Sequence, residues 1–159
     1  MAETKTNVMR ILERAKIPYT AHAYDHGDGL IDGVSVAQKL GQDPAAVFKT
    51  LVTRGASGAY HVFVIPVAKE LNLKKGAKAA GEKSVEMIHV SEINKVTGYI
   101  RGGCSPVGMK KQYATLFDSS ALAQEHIMVS AGKIGHQVEL EPKALADLVG
   151  GGFASLTDE

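Results

Sequence analysis

The sequence predicts a mixed α/β (α+β) fold in which helices surround a curved, mainly antiparallel, barrel-like sheet. Three observations lead there. Segments of helical and strand-like period interleave along the chain. One pair of apolar runs flanks a glycine-framed turn, which makes an antiparallel hairpin. The other connections are too short for a regular βαβ series. The 159 residues suit a single domain, expected to span 1–159, with enough chain to bury a core. No repeat, low-complexity tract or linker interrupts it.

Residues 6–16 read as a helix with Val8, Ile11, Leu12 and Ala15 on one face and Thr4 or Thr6 as its cap. Pro18 turns the chain into YTAHAY, where Tyr19, Ala21 and Ala23 alternate with Thr20, His22 and Tyr24 as in a strand. DHGDGLIDG is a loop of residues that tolerate tight turns. VSVAQKLG is a short helix closed by Gly41, and Pro44 opens a helical turn. VFKTLVTRGASGAYHVFVIPV is the hairpin, turning at Gly55-Ala56-Ser57-Gly58. LNLKKGAKAAGEKS reads as a basic helix despite Gly76, and VSEINKVTG as a helix capped by Ser91 and stopped by Gly98. Strands follow near 115–117, 126–130 and 137–141, then a helix from Pro142 to Val149 and a last strand near Phe153.

Composition narrows the function. A formal net charge of +1 gives no global attraction to nucleic acid, so no DNA partner is expected and any RNA contact must be local. A single cysteine excludes an internal disulfide and points to a reducing cytoplasm. The charged N-terminus has no signal-like apolar core, and no apolar run approaches the ~20 residues a membrane span needs. HExxH is absent, so neither a metal nor another cofactor is expected.

Several motifs carry candidate chemistry. GYIRGGCSPVGMKK holds four glycines, a proline, three cations and Cys104. A nucleophilic thiol needs a base or a cationic setting, and no histidine lies near Cys104 in sequence, so a packing role is favoured. GxSxG is absent, and GAKAAGEKS misses the phosphate-loop pattern because Glu82 intrudes. Lys69–Lys83 and Arg101–Lys111 each carry +3 net charge, fitting either a solvated lysine face or a phosphate-binding surface. Lys49 stands inside the apolar AVFKTLV, where a charge is costly unless it meets a pocket or a partner. Edge exposure is the plain alternative; Lys49 shares its strand face with Leu51, which favours a partly buried site.

KIPYTAHAYDH, KLGQDPAAVFKTLV, LNLKKGAKAAGEKSVEM, TGYIRGGCSPVGMKK, SAGKIG and VELEP occur in this order along nearly the whole chain. Together they resemble the YbaK/EbsC family of aminoacyl-tRNA deacylases, related to the editing domain inserted in bacterial prolyl-tRNA synthetases. The resemblance is closest to the single-domain Cys-tRNA(Pro) deacylases. It implies trans-editing of cysteine mischarged onto tRNA(Pro), with the aminoacyl 3′ end of tRNA(Pro) as ligand and prolyl-tRNA synthetase as partner. It implies Lys49 as the essential lysine, Thr50 beside it, Tyr24 walling the pocket, Gly102 and Pro106 in a GxxxP loop whose amides face the aminoacyl group with Gly103, and Ser130 opposite. Lys74, Lys75, Lys78, Lys110 and Lys111 become candidate tRNA contacts. No nucleophile is among these residues, and the family's proposed chemistry is attack by the substrate's own thiol, with the protein supplying orientation and oxyanion stabilisation.

The chain departs from the family at Cys104, usually apolar, at Ile134, usually arginine, and at Gln137, aspartate in some relatives. The loop around residues 26–33 also lacks the expected aromatic. Deacylation of another small aminoacyl-tRNA, such as Ala-tRNA(Pro), therefore stays open, as does a non-catalytic module that binds tRNA or the synthetase. A thiol-redox protein using Cys104 is the third alternative.

Overall fold

A computed structural model describes residues 5–30 and 32–158. Thr4, one of the two expected helix caps, and Ile31 of the 26–33 loop lie outside the described residues. The architecture is mixed α/β, and its strands form two sheets that do not close into a barrel. Among the described residues, four of the six strand pairings are antiparallel. The mixed α/β class and the mainly antiparallel pairing are as the sequence predicts, and the barrel-like closure is replaced by two separate sheets.

Helix α1 (Asn7–Arg14) starts where Thr6 Oγ1 accepts a hydrogen bond from Met9 N–H, and it buries Val8, Met9 and Leu12. Ala15, expected on that face, is exposed. Strand β1 (Thr20–Ala23) leads to α2 (Gly33–Leu40), which Asp32 caps and Gly41 ends in the left-handed region at φ 65°. A 3₁₀ turn at Pro44–Ala46 feeds the hairpin of β2 (Phe48–Gly55) and β3 (Tyr60–Pro66). Helix α3 (Leu73–Ala80) tolerates Gly76 because that residue is buried, and a Cβ there would stand 3.3–3.5 Å from Leu71 and Phe63. A three-residue strand that sequence did not reveal, β4 (Val85–Met87), precedes α4 (Val90–Thr97). The residue preceding α4 is His89, which makes no side-chain cap; Ser91, expected there, lies inside the first turn.

β5 (Ala114–Asp118), a 3₁₀ turn at Ser119–Ala123, β6 (Ile127–Ser130), β7 (His136–Leu140), α5 (Pro142–Val149) and β8 (Gly152–Ala154) complete the chain. The five-stranded sheet runs β4-β2-β3-β5-β8 and the three-stranded sheet β1-β7-β6. The main core lies between the sheets. Phe48, Val52, Val62, Val64 and Phe117 meet Ile127, Val129 and Val138 there, with α1 and α5 adding Leu12 and Leu145. A second cluster of Phe63, Ile65, Ala77, Val85 and Leu156 seats α3 on the other face. Val47, just before β2, bridges in parallel to Met128 of β6 and so joins the two sheets.

Asp118 fastens the C-terminal segment. It is 5% exposed, its Oδ1 accepts from Leu156 N–H at 2.9 Å, and its Oδ2 accepts from Ser120 N–H at 3.1 Å. Asp118→Ala orphans a buried donor and removes a cap, so it should lower unfolding free energy by about 2–3 kcal/mol in urea titrations. Unchanged stability would contradict this role.

Candidate active site

Where β2 starts, next to the join between the sheets, the structure holds a cavity of about 120 Å³. That is well above the ~10–15 Å³ of the same measure that holds one water, and it leaves room for a small acyl group. Tyr24, Lys49, Thr50, Gly102 and Ser130 all line it. They arrive from four separate segments: the end of β1, the start of β2, the loop after α4 and the end of β6. Apolar side chains of Val36, Val47, Phe48, Val67 and Val129 fill much of the remaining wall.

Lys49 is half-buried, and burial pulls its ammonium below the ordinary lysine range, with Glu70 partly opposing the shift. Among the described residues it makes no hydrogen bond or ion pair, and no aspartate or glutamate lines the cavity. A partly desolvated cation that no ion pair neutralises is suited to stabilising negative charge on a ligand. Thr50 Oγ1 is buried beside it without a hydrogen-bond partner among the described residues.

The loop after α4 is stiff. Tyr99 O–H donates to Val107 O, and the fully buried Ser105 accepts from Val107 N–H at 3.2 Å. Gly103 N–H closes a turn onto Ile100 O, whereas Gly102 N–H makes no hydrogen bond among the described residues. Gly102 has φ 86°, a conformation that favours glycine, and a backbone without Cβ admits close approach by a ligand. Gly103 serves the packing behind it: a Cβ there would sit 3.1 Å from Ile134 N. Gly103 and Pro106 are buried and do not line the cavity.

Cys104 both packs against the main core and lines the cavity. Burial pushes its thiol up to about 11, so it stays protonated at neutral pH. Two further polar residues line the cavity, His136 and Gln137. Burial, Lys133 and His26 together hold His136 below the usual imidazole range. The sequence names neither as a site residue, although Gln137 departs from the family pattern; its place follows from β7 pairing with β6, which sets Gln137 opposite Ser130. Among the described residues no group of three His, Cys, Asp or Glu could hold a metal.

The candidate tRNA-contacting lysines differ in freedom. Lys74, Lys78 and Lys111 are exposed. Lys75 Nζ donates to Thr157 O at 2.7 Å, tying α3 to the C-terminal segment, and Lys110 Nζ donates to Lys95 O at 3.2 Å. No helix among the described residues is long and apolar enough to cross a membrane.

The model of the aminoacyl-tRNA editing domain family matches residues 32–148, most of the chain and all of this cavity except Tyr24. The chain belongs to that family. It is also 47% identical over 155 residues to "Putative Cys-tRNA(Pro)/Cys-tRNA(Cys) deacylase EbsC" of Enterococcus faecalis (strain ATCC 700802 / V583), covering 98% of this chain and 94% of that protein. Among solved structures, the "hypothetical protein APE2540" superposes with TM-score 0.86 at 22% identity, over 95% of this chain and 99% of that one. "A putative trans-editing enzyme for prolyl tRNA synthetase" superposes with TM-score 0.80 at 21% identity, over 98% of this chain and 100% of that one. These two likenesses are of fold.

Thr50→Val replaces an orphaned buried hydroxyl by a methyl of nearly the same shape. It should leave unfolding free energy unchanged or raise it by up to about 1 kcal/mol, measured in urea. A loss of that size would show that the hydroxyl is satisfied within the fold.

Proposed function

We propose that this protein is a trans-editing deacylase that cleaves the ester of Cys-tRNA(Pro), working in the cytoplasm alongside prolyl-tRNA synthetase. The observation that carries the reading is the cavity itself: five residues expected from the family pattern line one small, acid-free pocket in a member of the editing family. The named activity of the 47% identical relative supports the same choice of substrate.

No lining group fits the role of nucleophile. Cys104 is held protonated, and the cavity offers a cation, a free amide N–H and hydroxyls instead. The reaction is then substrate-assisted. The cysteinyl thiol attacks its own ester carbonyl, a C–S bond forms, and the C–O bond to the terminal ribose breaks. The ribose oxygen leaves with the proton that the thiol gave up, and water opens the thiolactone to cysteine. Gly102 N–H and Lys49 stabilise the carbonyl oxygen as charge builds on it, and the apolar wall holds the thiol against the carbonyl. Lys74, Lys78 and Lys111 meet the tRNA backbone, and the synthetase supplies tRNA identity that so small a domain has little surface to read.

A panel of mischarged tRNAs tests this. Wild type should release cysteine from Cys-tRNA(Pro) and act far more slowly on Ser-tRNA(Pro) and Ala-tRNA(Pro), which lack the thiol. Lys49→Ala should lose on the order of 10²–10³ in rate, as when one oxyanion donor is removed. Its urea stability should be equal or higher, because a desolvated charge is gone. Cys104→Ser should remain active. Faster release from Ala-tRNA(Pro) would move the substrate to that ester, and salt-sensitive tRNA binding without turnover would replace the enzyme by a binding module.

A further inference from the structure

The cavity is an unusual host for an amino acid. An aminoacyl ester carries an amino group, and α-amino groups titrate near 7.7–8.0, so much of it is ammonium at neutral pH. Lys49 is the cation already present, and among the described residues no carboxylate lines the wall. An ammonium entering here loses hydration and finds no counter-ion.

What the wall offers is an amide. Gln137 is 3% exposed, lines the cavity and pairs across the strands with Ser130. Behind it stands Gln42, just past the Gly41 cap of α2, whose Nε2 donates to Gln137 Oε1 at 2.8 Å. A primary amide has two N–H donors and one carbonyl oxygen. With that oxygen engaged by Gln42, Gln137 keeps its N–H groups for the cavity. Gln42 Oε1 is itself buried without a hydrogen-bond partner among the described residues.

We propose that Gln137, positioned by Gln42, is a specificity-determining residue that meets the acyl group with a neutral N–H donor, so that the site takes thiol-bearing acyl esters of tRNA whether or not they carry an α-ammonium group. The inference rests on the deacylase reading above. It extends the activity to a wider class, small 3-mercaptoacyl esters, and makes the amine a bystander.

The test compares tRNA(Pro) acylated with cysteine and with 3-mercaptopropionate, which keeps the thiol and lacks the amine. For wild type, kcat/KM on the two should agree within about threefold. Gln137→Glu supplies the missing counter-ion and should prefer the cysteinyl ester by about tenfold or more, through KM. Gln42→Glu can only accept from Gln137, which turns Gln137 Oε1 toward the cavity. It should shift preference the same way with kcat on the cysteinyl ester retained, a change that a purely structural Gln42 would not produce. A wild type that loses more than about tenfold when the amine is removed overturns the inference and leaves the deacylase reading standing. So does a Gln42→Glu ratio equal to that of wild type. Release of neither ester by wild type overturns both.

Discussion

The site depends on one contact between two sheets. Val47 bridges Met128 in parallel, and its carbonyl also accepts a hydrogen bond from Val67 N–H at 2.8 Å. The residue before β2 is thereby tied to β6 on one side and to the end of β3 on the other. From Phe48 onward the strand belongs to the five-stranded sheet, with Lys49 opposite Ile65 and Thr50 opposite Val64. The cavity forms at this seam, so Lys49 and Thr50 enter its wall with the backbone already immobilised. A cation is then kept partly desolvated and outside any ion pair because the fold holds its backbone there, with Glu70 only partly opposing the desolvation.

The opposite wall is backbone. Residues 98–111 are rich in glycine for two separable reasons, close ligand approach at Gly102 and close packing on Ile134 at Gly103. Hydrogen bonds from Tyr99 and to Ser105 make the loop a fixed frame. Between these walls Cys104 contributes bulk and an inert thiol, which leaves a substrate thiol without a competitor for the ester carbonyl. Binding energy is directed to holding reacting atoms in place, the economical choice when the substrate brings its own nucleophile.

Much of the fold was legible in sequence because its signals are local. Proline and glycine punctuate α5 as expected, glycine ends α2, and the hairpin turns at Gly55–Gly58. What escaped is non-local or very short. The division into two sheets is set by pairings such as His22 with Gln137, more than a hundred residues apart, and periodicity carries no information about partners. Strand β4 has three residues at a sheet edge, two of them exposed. For the site, the family pattern named Tyr24, Lys49, Thr50, Gly102 and Ser130, which the fold brings together. It could not show that Gln42 reaches Gln137, since nothing in sequence couples a residue after a helix cap to a strand 95 positions on. Nor could it show that Lys75, within a run of lysines, is spent on the C-terminal segment.

The central claim is electrostatic: the fold keeps Lys49 partly desolvated and unpaired. A ¹³C-detected NMR titration of the lysine Cε resonances, with Lys49→Ala to assign the signal, reads this directly. Lys49 is expected to titrate below the ordinary lysine value of ~10.4. Titration at or above that value would mean that solvent or a carboxylate fully stabilises the ammonium, and would contradict this electrostatic role.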